Sequence, residues 1–187
     1  MRRVLVIGSG GSGKSTLAHS LSGITGLPVV HLDQLYWRPG WQAPPAHEWD
    51  AVIAELLTRE CWIMDGNYGG TLEARLAACD TVIFLDMPRR ISMLRVLRRW
   101  FSLRGQVRTD VAEGCPERLT WSFLQWVWTY PARRRPDIMR RLQSLPPDQS
   151  VTILRSPAEV DNYLRRVAAQ QCEGTKADIP PNDIARQ

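Results

Sequence analysis

Five short apolar runs punctuate the chain, at residues 3–7, 28–32, 61–64, 81–85 and 151–154. Each is rich in β-branched residues and continuous rather than alternating, the pattern of strands covered on both faces. Amphipathic stretches separate them. Helices are predicted over 14–22, about 47–59, about 70–78 and 89–103, then about 119–130, 134–142 and 158–169. Strand and helix taking turns in this way predict an α/β fold, a parallel sheet with helices on both faces. The stretch 104–147 breaks the rhythm. It is too long for a single crossover and has no strand of its own, so it reads as an insertion, a helical lid. From residue 170 the chain is polar, contains Pro180-Pro181 and has few large apolar residues. That composition predicts a disordered tail, 170–187, after one domain over 1–169.

The junction between the first run and the first helix carries the strongest chemical signal. Gly8-Ser9-Gly10-Gly11-Ser12-Gly13-Lys14-Ser15 matches G-x-x-x-x-G-K-[ST]. Glycines reach the backbone angles that let successive N–H groups curl round an anion, and they leave no Cβ in its way. A helix starting at Lys14 aims its partial positive end at the same anion. Lys14 is expected on the β and γ phosphates of a nucleotide, and the Ser15 hydroxyl on Mg²⁺. Thr16 is placed to reach the α phosphate. A chance match in a glycine-rich turn would not also follow a strand and open a helix.

Three acidic residues, Asp33, Asp65 and Asp86, each close one of the predicted strands. A helix cap or a turn explains any one of them. Ligands of open α/β sheets, however, sit at the carboxyl ends of the strands. Asp65 there suits a Mg²⁺ partner acting through water. Asp33 suits the base that orients or deprotonates an acceptor hydroxyl. Asp86 precedes Met87-Pro88, where a proline opens a helix, and takes a structural role.

Charge adds a second theme. Of 24 basic residues only Lys14 and Lys176 are lysine. The lone lysine before the tail stands where a compact ammonium is needed. Arg95 and Arg99 share a helical face with Arg98 beside them, and Arg133, Arg134 and Arg135 follow the expected closing element. A solvated basic face is one reading. The other is that guanidinium groups surround a migrating phosphoryl group. The basic excess by itself favours acidic partners without naming nucleic acid.

Eight tryptophans are many for this length. Trp121, Leu124 and Trp128 fall on one helical face, which reads as packing. Trp37 and Trp41, in a proline-containing loop after Asp33, read either as core or as the wall of an acceptor site. Cys61, Cys79, Cys115 and Cys172 show no paired spacing, so neither a zinc site nor a disulfide framework is expected. Met1-Arg2-Arg3 precedes an apolar run too short for a signal peptide, and no stretch approaches a membrane span. A cytoplasmic protein without membrane contact is expected.

The segments "GSGGSGKST", "HLDQLYW", "WIMDGNY", "DTVIFLDMPR", "EGCPERL", "WVWTYPARRRP" and "VTILRSPAEVDNYL" together resemble P-loop kinases of the adenylate-kinase superfamily. They resemble most closely the bacterial topology modulation proteins. The similarity spans about residues 3–166. It implies a sheet of order 2-3-1-4-5, a mobile lid and ATP as donor. It also implies that Lys14, Ser15 and Thr16 handle phosphates, that Asp65 supports Mg²⁺, and that Arg99 with Arg133, Arg134 and Arg135 clamps the transferring group. In one place the chain departs. Adenylate kinases show D-G-F-P-R where this chain has Asp65-Gly66-Asn67-Tyr68-Gly69, so the arginine that grips an acceptor phosphate is missing there.

These readings predict an ATP- and Mg²⁺-dependent kinase acting on a nucleotide, a nucleoside or another small hydroxyl or phosphate acceptor. The alternative is a nucleotide-binding regulatory protein that influences DNA topology without transfer. No helix-turn-helix or other nucleic-acid module supports it. A guanine-specific N-K-x-D run is absent, which argues against a GTP switch.

Overall fold

The structure is a computed structural model describing residues 1–103, 105, 106 and 108–177, with 173–177 as backbone only. Five strands form one parallel sheet: β1 (Arg3–Gly8), β2 (Val29–His31), β3 (Trp62–Asp65), β4 (Thr81–Leu85) and β5 (Ser150–Leu154). Their order is β2-β3-β1-β4-β5, so β1 lies at the centre between β3 and β4. In register, Leu5 faces Met64 on one side and Val82 on the other.

Strand residues alternate between two cores. Val4, Val6, Ile63, Ile83 and Leu85 pack beneath α1 (Lys14–Thr25) and α8 (Pro157–Ala177). Leu5, Ile7, Trp62, Met64, Val82 and Phe84 pack on the other face, under α3 (Ala46–Leu57) and α4 (Leu72–Ala78). Both faces are covered, which is why the strands read as unbroken apolar runs. A short α2 (Leu32–Tyr36) follows β2 directly, within what the sequence suggested was strand end and loop. The helix α5 (Arg89–Ser102) opens after Pro88, as the proline signalled.

The stretch read as a lid insertion divides in two. Described residues between 103 and 120 are irregular, and Arg104, at the expected boundary, lies outside the described residues. The helices α6 (Trp121–Arg133) and α7 (Arg135–Gln143) follow. Contrary to the 104–147 boundary, α7 belongs to the body of the domain. Ile138 and Leu142 are buried in the core with Leu76 and Cys79, because their spacing gives α7 an apolar stripe to bury. The expected tryptophan stripe on α6 is also corrected. Trp121 is 79% exposed and Trp128 42%, whereas Val127 and Tyr130 are buried. Trp128 instead carries the Arg89 guanidinium 4.3 Å from its ring centre, a contact that tolerates water.

The tail boundary shifts as well. α8 runs to Ala177, past the start of the tail placed at residue 170, since Gln170, Gln171 and Cys172 hold no helix breaker. Residues 178–187 of the expected tail lie outside the described residues. Among the described residues no helix is long and apolar enough to cross a membrane.

Candidate active site

The glycine-rich loop links β1 to α1 at the carboxyl edge of the sheet. Gly11 has φ +75°, and a Cβ there would lie 2.3 Å from the Ser92 carbonyl oxygen. Gly10 also meets α6 closely: a Cβ would be 2.8 Å from the ring of Phe123. Only bare backbone fits between the two helices, so the loop is held from both sides. Arg95 donates from Nη1 to the Ser12 carbonyl at 3.0 Å. Lys14 folds back to donate from Nζ to the Ser9 carbonyl at 3.0 Å. The Ser12 hydroxyl is buried with no hydrogen-bond partner among the described residues. An orphaned donor inside a curl of N–H groups fits a phosphate.

Asn67 ties β3 to the loop. Its Nδ2 donates to the Gly8 carbonyl at 2.6 Å, and its Oδ1 accepts from Gly8 N–H at 3.1 Å. Behind it sits Arg75, fully buried on α4, which donates to the carbonyls of Gly66, Asn67 and Tyr68 at 2.5–2.9 Å. Burial lowers this guanidinium to about 10. Arg75 resembles an ordinary surface arginine in sequence, yet it fixes the turn that carries the site.

Asp65 is buried at the end of β3 and bonds to His31 Nδ1 at 2.9 Å. The other ring nitrogen of His31 lies 3.1 Å from His19 Nε2 on α1. Asp33, in the first turn of α2, accepts from the Tyr68 hydroxyl at 2.5 Å. Burial, then the charge of Asp33, drives the Tyr68 phenol far up its range, so it stays a donor. Both carboxylates act on Lys14: burial lowers its ammonium, and Asp65 and then Asp33 pull it back up.

The irregular segment after α5 closes over this group. Asp110 lies beside the Ser15 hydroxyl. Burial opposes its charge, but Arg108 and Ser15 hold its carboxyl below the usual range. Glu117 is buried between two cations, 2.9 Å from Arg99 and 3.0 Å from Arg108. Both arginines are near enough to depress Lys14. Against the Asp33 side, Gln34 bonds to the Thr109 carbonyl, and Gly40 N–H donates to Gly114 O at 2.9 Å. Trp41 Nε1 donates to Pro116 O at 3.0 Å, and Trp37 packs on Trp41 with centroids 5.4 Å apart. Trp37 and Trp41 therefore form a wall that the closing segment rests on.

The expected site residues thus fall into two groups. Lys14, Ser15, Asp33, Asp65 and Arg99 gather at the loop, and Thr16 lies exposed in the first turn of α1. Arg135 does not join them, because its Nε holds both carboxylate oxygens of Asp86 at 2.8–2.9 Å. Arg133 and Arg134 line a cavity on α6 instead. Arg108, Asp110, His31 and Asn67 were not singled out in the sequence. His31 had a signal, standing two places before Asp33 at a strand end, while Arg108 sits in a stretch with no periodicity to orient it.

The Ser15 hydroxyl and nucleotide oxygens would hold Mg²⁺, with the Asp65 carboxylate in support. The donor set is all oxygen, which suits that ion.

No protein-family model and no curated protein matches the chain. Solved structures match its fold. Shikimate kinase from Acinetobacter baumannii, in complex with shikimate, is similar over 94% of this chain and 95% of its own. The TM-score is 0.55 and the identity 17%. Deoxyadenosine kinase from M. mycoides, with bound dATP, is similar over 88% of this chain and 98% of its own, with TM-score 0.53 and 13% identity. The fold is that of the P-loop small-molecule kinases.

Proposed function

We propose that the chain is an ATP- and Mg²⁺-dependent kinase for a small molecule. The observation that carries this is the convergence of Lys14, Asp33, Asp65, Arg99 and Arg108 on one glycine-rich loop under a closing segment. Loop N–H groups, Lys14 and the start of α1 bind the donor phosphates. Mg²⁺, when bound, neutralises charge on the β and γ oxygens. An acceptor oxygen attacks the γ phosphorus while the bond to the β–γ bridging oxygen breaks. ADP leaves, and the acceptor proton passes to Asp33, which Tyr68 orients. Arg99 and Arg108 meet the charge that spreads over the transferred group. Closure of 108–120 keeps water from taking the phosphoryl group.

Kinship with the topology modulation proteins belongs to the same proposal. The segments that resemble them supply Lys14, Asp33, Asp65 and Glu117. An ADP-release screen against nucleosides, nucleotides and small hydroxy acids tests the reading. Acceptor-dependent ADP is expected. ATP hydrolysis that responds to DNA and to no acceptor would favour the regulatory alternative.

A further inference from the structure

One cavity of about 230 Å³ lies along α6; besides Ser122 its lining is Gln125, Trp126, Thr129, Tyr130, Arg133 and Arg134. The three- and four-residue spacing puts all six on one side of the helix. Three observations give this cavity a chemistry. First, Tyr130 is 5% exposed, and its hydroxyl is buried with no hydrogen-bond partner among the described residues. A buried O–H left unmet is costly, so an acceptor is called for. Burial, then Asp86, raises this phenol, and Arg134 pulls the other way; it remains a donor. Second, Arg133 and Arg134 are in no ion pair among the described residues, although the adjoining Arg135 is held by Asp86. No carboxylate lines the cavity. Third, Trp126 supplies a flat wall, meeting Tyr130 edge-on at 5.3 Å and stacking on Phe123 at 5.9 Å.

The position matters as much as the lining. Phe123 and Val127 of the same helix touch Gly10, so the cavity flanks the phosphate loop. Trp126 packs against the core on the sheet face that also holds Tyr68, the partner of Asp33. The face bearing α1 and α8 is the opposite one. Arg75, the basic group nearest the Asn67 turn, turns Nη1 and Nη2 to three backbone carbonyls that hold that turn.

We propose that Arg133, Arg134 and Tyr130 bind the phosphate or carboxylate of the acceptor molecule, with Trp126 against its flat face. This rests on the kinase reading. The volume lies below the roughly 300–1,000 Å³ of drug-sized sites, which suits one ring and its anionic group. The acceptor is then an anionic, cyclic hydroxyl compound rather than an uncharged one.

The test fills the loop first, with Mg²⁺ and a non-hydrolysable ATP analogue, so that added anions cannot bind there. Phenyl phosphate, benzoate and phenol are then titrated by calorimetry and by tryptophan emission. Phenyl phosphate and benzoate are expected to bind, and phenol far more weakly. The double variant R133A/R134A should lose about 10- to 100-fold in affinity for both anions, the scale of charged hydrogen bonds. Y130F should lose less, and W126F should abolish most of the emission change. Unaltered circular dichroism and melting temperature certify the folds.

Anion affinities equal to that of phenol, or unchanged in R133A/R134A, would overturn the proposal. The two readings separate in the acceptor screen. Transfer to uncharged compounds, with KM untouched by R133A/R134A, keeps the kinase and removes this site. Arginine-dependent anion binding without transfer to any compound keeps an anion site and removes both the kinase and the acceptor role.

Discussion

His31 Nδ1 and Asp65 Oδ1 lie 2.9 Å apart at the end of the sheet, both side chains almost fully buried. Burial alone would lower the histidine. The hydrogen bond and charge of Asp65 outweigh it and raise the imidazole above its usual 6.5. Because the folded value is the higher one, the pair stabilises the protein fully below about pH 6.5 and loses that contribution as pH rises through the folded value. Asp65→Asn should bring the His31 titration down, read by NMR, and flatten the fall in melting temperature above neutral pH. An unchanged His31 titration in the variant would show that Asp65 is not the cause.

Lys14→Ala should leave the fold intact, because the side chain is only half-buried and its single bond, to the Ser9 carbonyl, is local. Calorimetry should show Mg-ATP affinity falling about 10- to 100-fold, the scale of a charged hydrogen bond. Transfer should cease. Unchanged ATP turnover in the folded variant would remove the loop from the chemistry.

Gly11→Ala attacks the seat of the loop. It demands φ +75° of an alanine and drives a Cβ to 2.3 Å from the Ser92 carbonyl, which is helix backbone and cannot step aside. A loss of about 2–4 kcal/mol is expected from strain plus overpacking. Urea unfolding measures it. A melting temperature equal to wild type would mean that α5 moves freely against the loop.

How far each of these residues could be read from the sequence depends on the kind of contact it makes. The placement of Lys14 and Ser15 at the loop was legible because it follows from spacing within one turn of chain. Sheet order came from resemblance, since no apolar run states its neighbour. Asp65 was legible by its place at a strand end, but its partner His31 was not, being 34 residues away. Arg75 shows the limit best. Its position on an amphipathic helix is that of a solvated charge, and only the fold reveals three carbonyls waiting behind it. The tryptophans erred the other way. Trp121 and Trp128 obey helical periodicity, yet α6 buries the neighbouring stripe because that one meets Gly10.

Asp33→Asn should separate chemistry from donor binding. The carboxylate bonds to Tyr68 on the acceptor side and acts on Lys14 only through space. Turnover at saturating acceptor should fall by about 10²–10⁴-fold, the range of a general base, with ATP affinity changed far less. Should ATP affinity collapse while turnover survives, Asp33 belongs with the metal.

Arg108 is the cation that the closing segment itself brings to the loop, and it decides whether closure serves catalysis. It bridges Glu117 and Asp110, at 3.0 and 3.4 Å, while Asp110 lies beside the Ser15 hydroxyl expected on Mg²⁺. On the proposed kinase reading, arriving nucleotide phosphates would compete for the same cations, and Arg108 would exchange a carboxylate for a phosphoryl oxygen. Arg108→Ala should cut transfer by about 10³-fold, on the scale of an arginine finger. Affinity for ADP, which lacks the γ phosphate, should change much less. Glu117→Gln supplies the control: it weakens the clasp but leaves the arginine, so activity should fall by less. Trp41 reports the geometry, because its indole N–H reaches the Pro116 carbonyl only while the segment is docked. Its emission should shift in Arg108→Ala before any ligand is added. Near-normal transfer in that variant, with Trp41 emission unmoved, would reduce Arg108 to a surface charge and return the clamp to Arg99 alone.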